Sequence, residues 1–156
     1  MENLDKTDKL ILGYLQQDNT LSASDIADKV GLSQSPCWRR INKMQEQGII
    51  CGGAATLDRK KLGLKVVVIV NVKLTAHGWS MLNEFEDAIV AFSEVLECWT
   101  ISGGMDFMLR VVTKDIDSYE QFLRHKLLQL PHIQEAQSHF TMTEVKNTTE
   151  LPLDIL

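Results

Sequence analysis

The stretch LSASDIADKVGLSQSPCWRRINKMQEQG, Leu21 to Gly48, decides the architecture, because it reads as two short helices joined by a tight turn. In the first helix Ile26, Ala27 and Val30 recur at helical spacing behind an N-cap at Ser22. Gly31 supplies the backbone freedom that the turn needs, and Leu32 plugs back into the core. The second helix starts at Ser33 or Ser35, with Pro36 in its first turn, where the missing N–H removes a donor that would have no intrahelical partner; Gly48 stops it. At about 100° per residue, Cys37, Ile41 and Met44 share one arc, whereas Ser35, Arg39, Asn42, Lys43 and Glu46 lie on the far side. This is the layout of a DNA-reading helix-turn-helix. Arg39 and Lys43 sit one turn apart and can meet phosphates or base edges when the helix N-terminus enters a major groove. A solvated helix face is the plain alternative, and the preceding helix with its Gly31 turn weighs against it. The candidate DNA contacts are Ser33, Gln34, Ser35, Trp38, Arg39, Arg40, Asn42 and Lys43.

Working outward, Asp5 to Gln17 reads as a helix whose inward face is Leu10, Ile11, Tyr14 and Leu15, completing a three-helix core. Ile49 to Leu57, with Gly52-Gly53, is expected to form a two-stranded wing. Asp58 to Lys65 is basic, polar and nonperiodic, which marks a linker. Beyond it strands alternate with helices. Val66 to Val72 is a nearly unbroken β-branched run, and Trp79 to Phe92 carries Leu82, Phe85, Ile89 and Phe92 at helical spacing. Val95 to Ser102 and Phe107 to Val112 are strands around Gly103-Gly104; Ile116 to Leu130 buries Tyr119, Phe122, Leu123 and Leu127. After Pro131, Ile133 to Val145 alternates as a last strand. The order βαββαβ predicts an α+β, ferredoxin-like sheet with helices on one face. The domain boundaries that follow are 1–57, 58–65 for the linker, and 66–156. An open apolar sheet face does not stay wet, so a homodimer is expected, which also gives a DNA reader two symmetry-related helices.

Charge and cysteines narrow the setting. Residues 1–64 carry nine Lys+Arg against eight Asp+Glu, and the remainder seven against thirteen, within an overall charge of −5. An acidic chain binds nucleic acid through local patches, here Arg39, Arg40 and Lys43, and the run Arg59, Lys60, Lys61. No apolar stretch reaches the roughly 18 residues of a membrane span, and the polar start MENLDKTDK does not resemble a signal peptide, so a cytoplasmic protein without membrane contact is expected. Cys37, Cys51 and Cys98 are odd in number and widely spaced, which suits a reducing compartment and argues against disulfides and zinc. His125, His132 and His139 cross a helix, a turn and a strand and form no metal stripe.

No nucleophile with a base, phosphate loop or paired carboxylates stands in convincing context. The segment Ser102-Gly103-Gly104-Met105-Asp106 joins two strands as a hairpin turn. Its glycines also let backbone groups approach a small ligand, with Asp106 offering a carboxylate to an ammonium group.

Six segments in order resemble the Lrp/AsnC (feast/famine) family of transcription regulators: LDKTDKLILGYLQQD at Leu4–Asp18, GLSQSPCWRRI at Gly31–Ile41, GII at Gly48–Ile50, LDRKKLGL at Leu57–Leu64, EVLECWTISGGMDFMLRV at Glu94–Val111, and VKNTTELPL at Val145–Leu153. Gly104-Met105 departs from the family's usual small polar pair, and Trp99 stands where tyrosine is common. The resemblance implies a winged helix-turn-helix followed by a ferredoxin-like (RAM-type) domain. It implies a regulator of operator DNA, not an enzyme, that responds to an amino-acid effector without metal or cofactor. The equivalent turn in the family lies between dimers, which makes Ser102, Gly103, Gly104 and Asp106 effector candidates, with Ser138 across the interface as a weaker addition. A homodimer, or a tetramer or octamer built from it, is the implied assembly. The competing readings are an architectural, chromatin-like DNA binder and a ferredoxin-like metabolic enzyme; the outward Arg39 and Lys43 argue against the second.

Overall fold

Reciprocal capping boxes open the first two helices. The computed structural model describes residues 4–75 and 78–156. In α1 (Lys6–Gln17) the Asp5 carboxylate accepts from the Asp8 N–H while Asp8 accepts from the Asp5 N–H; in α2 (Ala23–Val30) Ser22 and Asp25 repeat the exchange. Each box satisfies first-turn donors that no intrahelical carbonyl can reach. Gly31 adopts φ +72°, and Leu32 N–H closes the turn onto the Ala27 carbonyl at 3.0 Å. The second helix, α3 (Gln34–Glu46), has Ser33 as its N-cap, which settles its start, but Ser33 makes no side-chain cap bond. At its end Gly48 turns with φ +70°, and the Ile49 and Ile50 N–H groups both donate to the Met44 carbonyl.

Ile11, Ile26, Ala27, Cys37 and Met44 form the core of this three-helix unit, with Leu12, Leu15 and Ile41 packed around it. Leu10, expected inward, is 47% exposed, and Leu12 takes the inward place. The expected two-stranded pairing of the wing is absent: residues 51–58 run without a strand assignment. Gly52 at φ +109° breaks the extended run before a ladder can form.

The second unit is a four-stranded antiparallel sheet of order β2-β3-β1-β4, made of β1 (Val66–Leu74), β2 (Val95–Thr100), β3 (Phe107–Thr113) and β4 (Ile133–Phe140). Helices α4 (Trp79–Val90) and α5 (Ile116–His125) follow β1 and β3, and a short 3₁₀ turn, Leu127–Gln129, completes the helical run expected to reach Leu130. Val68, Val70, Val72 and Leu74 alternate onto the helix-covered face and pack with Phe107, Leu109, Phe85, Ile89 and Phe122. The open face is less apolar than expected. Trp99, Ile69 and Met108 share it with Asn71, Gln137, His139 and the Arg110–Glu97 ion pair, while Val67 and Val112 are buried within the chain.

The last strand stops at Phe140 rather than Val145. Phe140 already faces Val68, and Thr141 donates through both N–H and Oγ1 to the Val67 carbonyl. One residue further β1 begins, so no ladder remains to extend.

The linker is folded. Asp58 Oδ1 accepts from the Lys60 and Lys61 N–H groups, and Leu64 N–H closes onto the Arg59 carbonyl at 2.8 Å. The compact units divide at Thr56/Leu57, and Lys146–Leu156 belongs with the three helices, whereas the sequence reading placed it in the second domain.

Gly31 has open space around its missing Cβ, so replacing it tests the backbone alone. Gly31→Ala should lower the stability of the three-helix unit by about 1–2 kcal/mol, the cost of a left-handed conformation for an L side chain, in urea unfolding followed by circular dichroism.

Candidate nucleic-acid interface and effector turn

The polar face of α3 is positioned by its buried opposite. Cys37 is fully buried and Met44 nearly so, which fixes the helix rotation and leaves Ser35, Arg39 and Lys43 exposed and Trp38 at 55% exposure. Ser33 and Gln34 are exposed at the N-terminal end, and Asn42 is half-buried. Pro36, Arg39, Arg40 and Lys43 border an open groove of about 280 Å³ along the helix. The N-terminal turn therefore presents small polar side chains and an indole, followed one turn later by cations. That arrangement suits insertion into a major groove with phosphates at its flanks.

Arg40 departs from the sequence reading. Its Nη1 donates to Asp5 Oδ2 and Asp8 Oδ1, each at 2.7 Å. The guanidinium thus ties α3 to the capping box of α1, and its charge is matched by two carboxylates. The Asp8 N–H, and after it the Arg40 guanidinium, hold the Asp5 carboxyl below its usual range. The tie is complete above the ordinary aspartate range, about 3.9, and is lost as pH falls below it. Periodicity on α3 could not reveal this role; the signal in the sequence was the D-x-x-D pair at Asp5 and Asp8.

Arg59 is likewise engaged. Its guanidinium donates to the Leu64 and Lys65 carbonyls and lies 3.7 Å from Glu144, so it braces the linker and does not reach outward. Lys60 and Lys61 remain exposed, with Lys61 3.8 Å from Asp58.

The turn after β2 is anchored at both ends. Ile101 N–H donates to the Asp106 carbonyl and Asp106 N–H to the Val72 carbonyl, each at 2.9 Å. The Asp106 carboxylate accepts from the Leu74 N–H at 2.7 Å, at the register irregularity of β1. Ser102, Gly103 and Gly104 are exposed at the tip. Gly103 has φ +124°, whereas Gly104 has neither a left-handed backbone nor any atom within 4 Å of a Cβ built on it. Nothing within the described chain therefore demands glycine at position 104.

Ser138 lies elsewhere on the sheet. Opposite Val70 on the helix-covered face, its hydroxyl is hydrogen-bonded to the Tyr119 hydroxyl. The structure does not bring it to the tip of the turn. A feature the sequence did not suggest lies beside Thr100: a cleft of about 320 Å³ between α4 and β2, bordered by Glu86, Ile89, Cys98 and Phe107. Burial, with Glu86 nearby, pushes the Cys98 thiol up, away from the reactive thiolate. Among the described residues no group of three or more His, Cys, Asp or Glu side chains is arranged to hold a metal ion. Among those residues, too, no helix is long and apolar enough to cross a membrane.

Comparison with known proteins matches both units. Residues 4–50 fit a family profile described as winged helix-turn-helix DNA-binding, and residues 67–151 fit the Lrp/AsnC ligand binding domain. The chain is 34% identical over 151 residues to the DNA-binding transcriptional activator DecR of Escherichia coli K12, covering 97% of this chain and 99% of the relative. Identity to the transcriptional regulator AzlB of Bacillus subtilis is 36%, covering 97% and 96%. Among solved structures, an AsnC family transcriptional regulator from Agrobacterium tumefaciens superposes with a TM-score of 0.93 at 43% identity, covering 97% and 99%. A transcriptional regulator from Neisseria meningitidis in complex with L-Met superposes with a TM-score of 0.94 at 32% identity, covering 98% and 99%.

The two arginines separate experimentally. Arg39→Ala should reduce the slope of log affinity against log salt by about 0.9, the signature of one lost phosphate contact. Arg40→Ala should leave that slope unchanged while lowering the thermal stability of the three-helix unit. Fluorescence anisotropy on an operator fragment across salt concentrations measures the first effect, and thermal unfolding the second.

Proposed function

The chain belongs to the Lrp/AsnC family of DNA-binding, ligand-responsive transcription regulators, and on that premise we propose how its parts divide the work. Ser33, Gln34, Ser35, Trp38, Arg39, Asn42 and Lys43 of α3 meet operator DNA, and Arg40 holds the helix in place. The observation that carries this assignment is the rotation of α3: Cys37 and Met44 are buried on one side while Arg39 and Lys43 are exposed on the other.

The second unit takes a small amino acid at Ser102, Gly103 and Gly104, with Asp106 holding the turn to β1. The open tip at Gly104 supports this, since it leaves room for approach from outside the chain. The L-Met complex of the Neisseria relative makes methionine the first effector to try. The cleft beside Thr100 offers apolar walls next to the Glu86 carboxylate for such a ligand. Ser138 is a secondary candidate that would have to give up its bond to Tyr119.

The protein acts as a homodimer or higher assembly, paired through the open sheet face around Ile69, Met108 and Trp99, and works in the cytoplasm without catalytic activity, metal or membrane contact. Within the boundaries 1–57, 58–65 and 66–156, the last eleven residues count with the first unit.

The assignment is tested by titrating operator binding with each standard amino acid. Ligand and DNA must alter each other's affinity by the same factor. An unchanged operator affinity with every amino acid would remove the effector assignment. Gly104→Val, whose Cβ meets no atom within 4 Å, should abolish the response while keeping stability within about 0.5 kcal/mol and basal operator affinity unchanged.

A further inference from the structure

The segment VKNTTELPL, singled out in the sequence, has no part in reading DNA or forming the effector turn. The structure shows where it goes. Lys146–Leu156 belongs to the three-helix unit, and its contacts are with backbone as well as side chains. The Gln16 amide engages Leu151 twice, donating from Nε2 to its carbonyl at 3.0 Å and accepting its N–H on Oε1 at 2.9 Å. Lys9 Nζ donates to the Leu156 carbonyl. Leu151 and Leu153 lie over an apolar groove formed by Leu12 and Leu15 of α1 and by Ile49 and Ile50, which directly follow α3. Recognition of an extended peptide by paired backbone bonds, with pockets for alternate apolar side chains, is the general logic of a peptide-binding groove.

We propose that this groove is a peptide-binding site whose occupant is the chain's own tail, residues 146–156, and that the docked tail sets the position of the reading helix. The tail touches the two elements that locate α3. On one side is α1, which holds Arg40 through Asp5 and Asp8; on the other is the segment in which α3 ends. An occupied groove braces those elements against each other.

The packing is that of an exchangeable clasp. Leu151 is 68% exposed, and about 210 Å³ of space remains between the tail and the groove. A segment held by a few hydrogen bonds and partly filled apolar contacts opens locally at low free energy. A tethered occupant stays docked when its intrinsic Kd lies below the effective concentration that the tether imposes, which for short linkers is in the millimolar range. The detached tail should therefore bind with a Kd of about 1 mM or tighter.

The test uses a chain ending at Val145 and a fluorescent peptide of sequence KNTTELPLDIL. The shortened chain should bind the peptide saturably by anisotropy, and Gln16→Ala should weaken that binding about tenfold or more, as loss of two hydrogen bonds requires. Operator affinity of the shortened chain should fall several-fold with an unchanged salt slope, and saturating peptide should restore it. No saturation up to several millimolar peptide, or operator affinity indifferent to the tail, overturns the proposal. Should the shortened chain fail to fold, Gln16→Ala in the full chain decides. Faster hydrogen exchange at the Leu151 amide together with weaker operator binding supports the clasp, and an unchanged Leu151 amide refutes it. Peptide binding is read without DNA, so its failure is distinct from a failure of the DNA-binding assignment.

Discussion

The constraint on which the second unit depends is that β1 is hydrogen-bonded along both edges, to β3 on one side and β4 on the other. A strand so placed has no edge left to offer, and its alternation must put Val68, Val70, Val72 and Leu74 together under the helices. Its two ends then become attachment points. At the C-terminal end, the Val72 carbonyl and the Leu74 N–H hold Asp106, and with it the turn that bears Gly103 and Gly104. At the N-terminal end, the Val67 carbonyl takes both donors of Thr141, where the chain leaves the sheet and starts towards its tail. The turn and the root of the tail are thus fixed to opposite ends of one buried strand, each by a backbone–backbone bond and a second bond to a side chain, Asp106 or Thr141.

Charge is handled by pairing before it is offered to DNA. Arg40 is matched by Asp5 and Asp8, Arg59 by Glu144, and Arg110 by Glu97. These exposed or half-exposed pairs contribute modestly to stability, and their larger effect is to direct each cation. In a chain with an overall charge of −5, the proposed DNA interface depends on the few cations exposed on α3. Specific contacts made by a fixed helix matter more there than a general positive field.

Much of the fold was legible because it rests on local chemistry. Ser22, Gly31 and the Ile26, Ala27, Val30 spacing determine α2 and its turn without help from distant residues, and the β-branched run of β1 does the same for the central strand. What local sequence did not show shares a cause: each feature was decided by a neighbour remote in sequence. Arg40 faces outward by helical periodicity, yet its partners come from the cap of α1. Ser138 alternates correctly in β4, but its hydroxyl is committed to Tyr119 on α5. The polar alternation through residue 145 reads as strand because a sequence does not show the register of β4 on β1, in which Phe140 already meets Val68 near the start of β1. Residues 51–58 carried glycines consistent with a wing, while the pairing that defines one depends on a second segment that local sequence does not specify.

The same distinction separates the two surfaces proposed to meet DNA and effector. The face of α3 acts through side chains, so its specificity can drift residue by residue while Cys37, Met44 and the Arg40 tie hold the helix in register. The turn at Ser102–Asp106 acts largely through backbone whose position is fixed by β1. Side chains of the cleft beside Thr100 are then free to set which amino acid is accepted without disturbing the turn itself. Of the departures from the family pattern, Gly104-Met105 falls within that turn and Trp99 on the open sheet face. Both leave the backbone scaffold intact, as a shared fold serving different effectors requires.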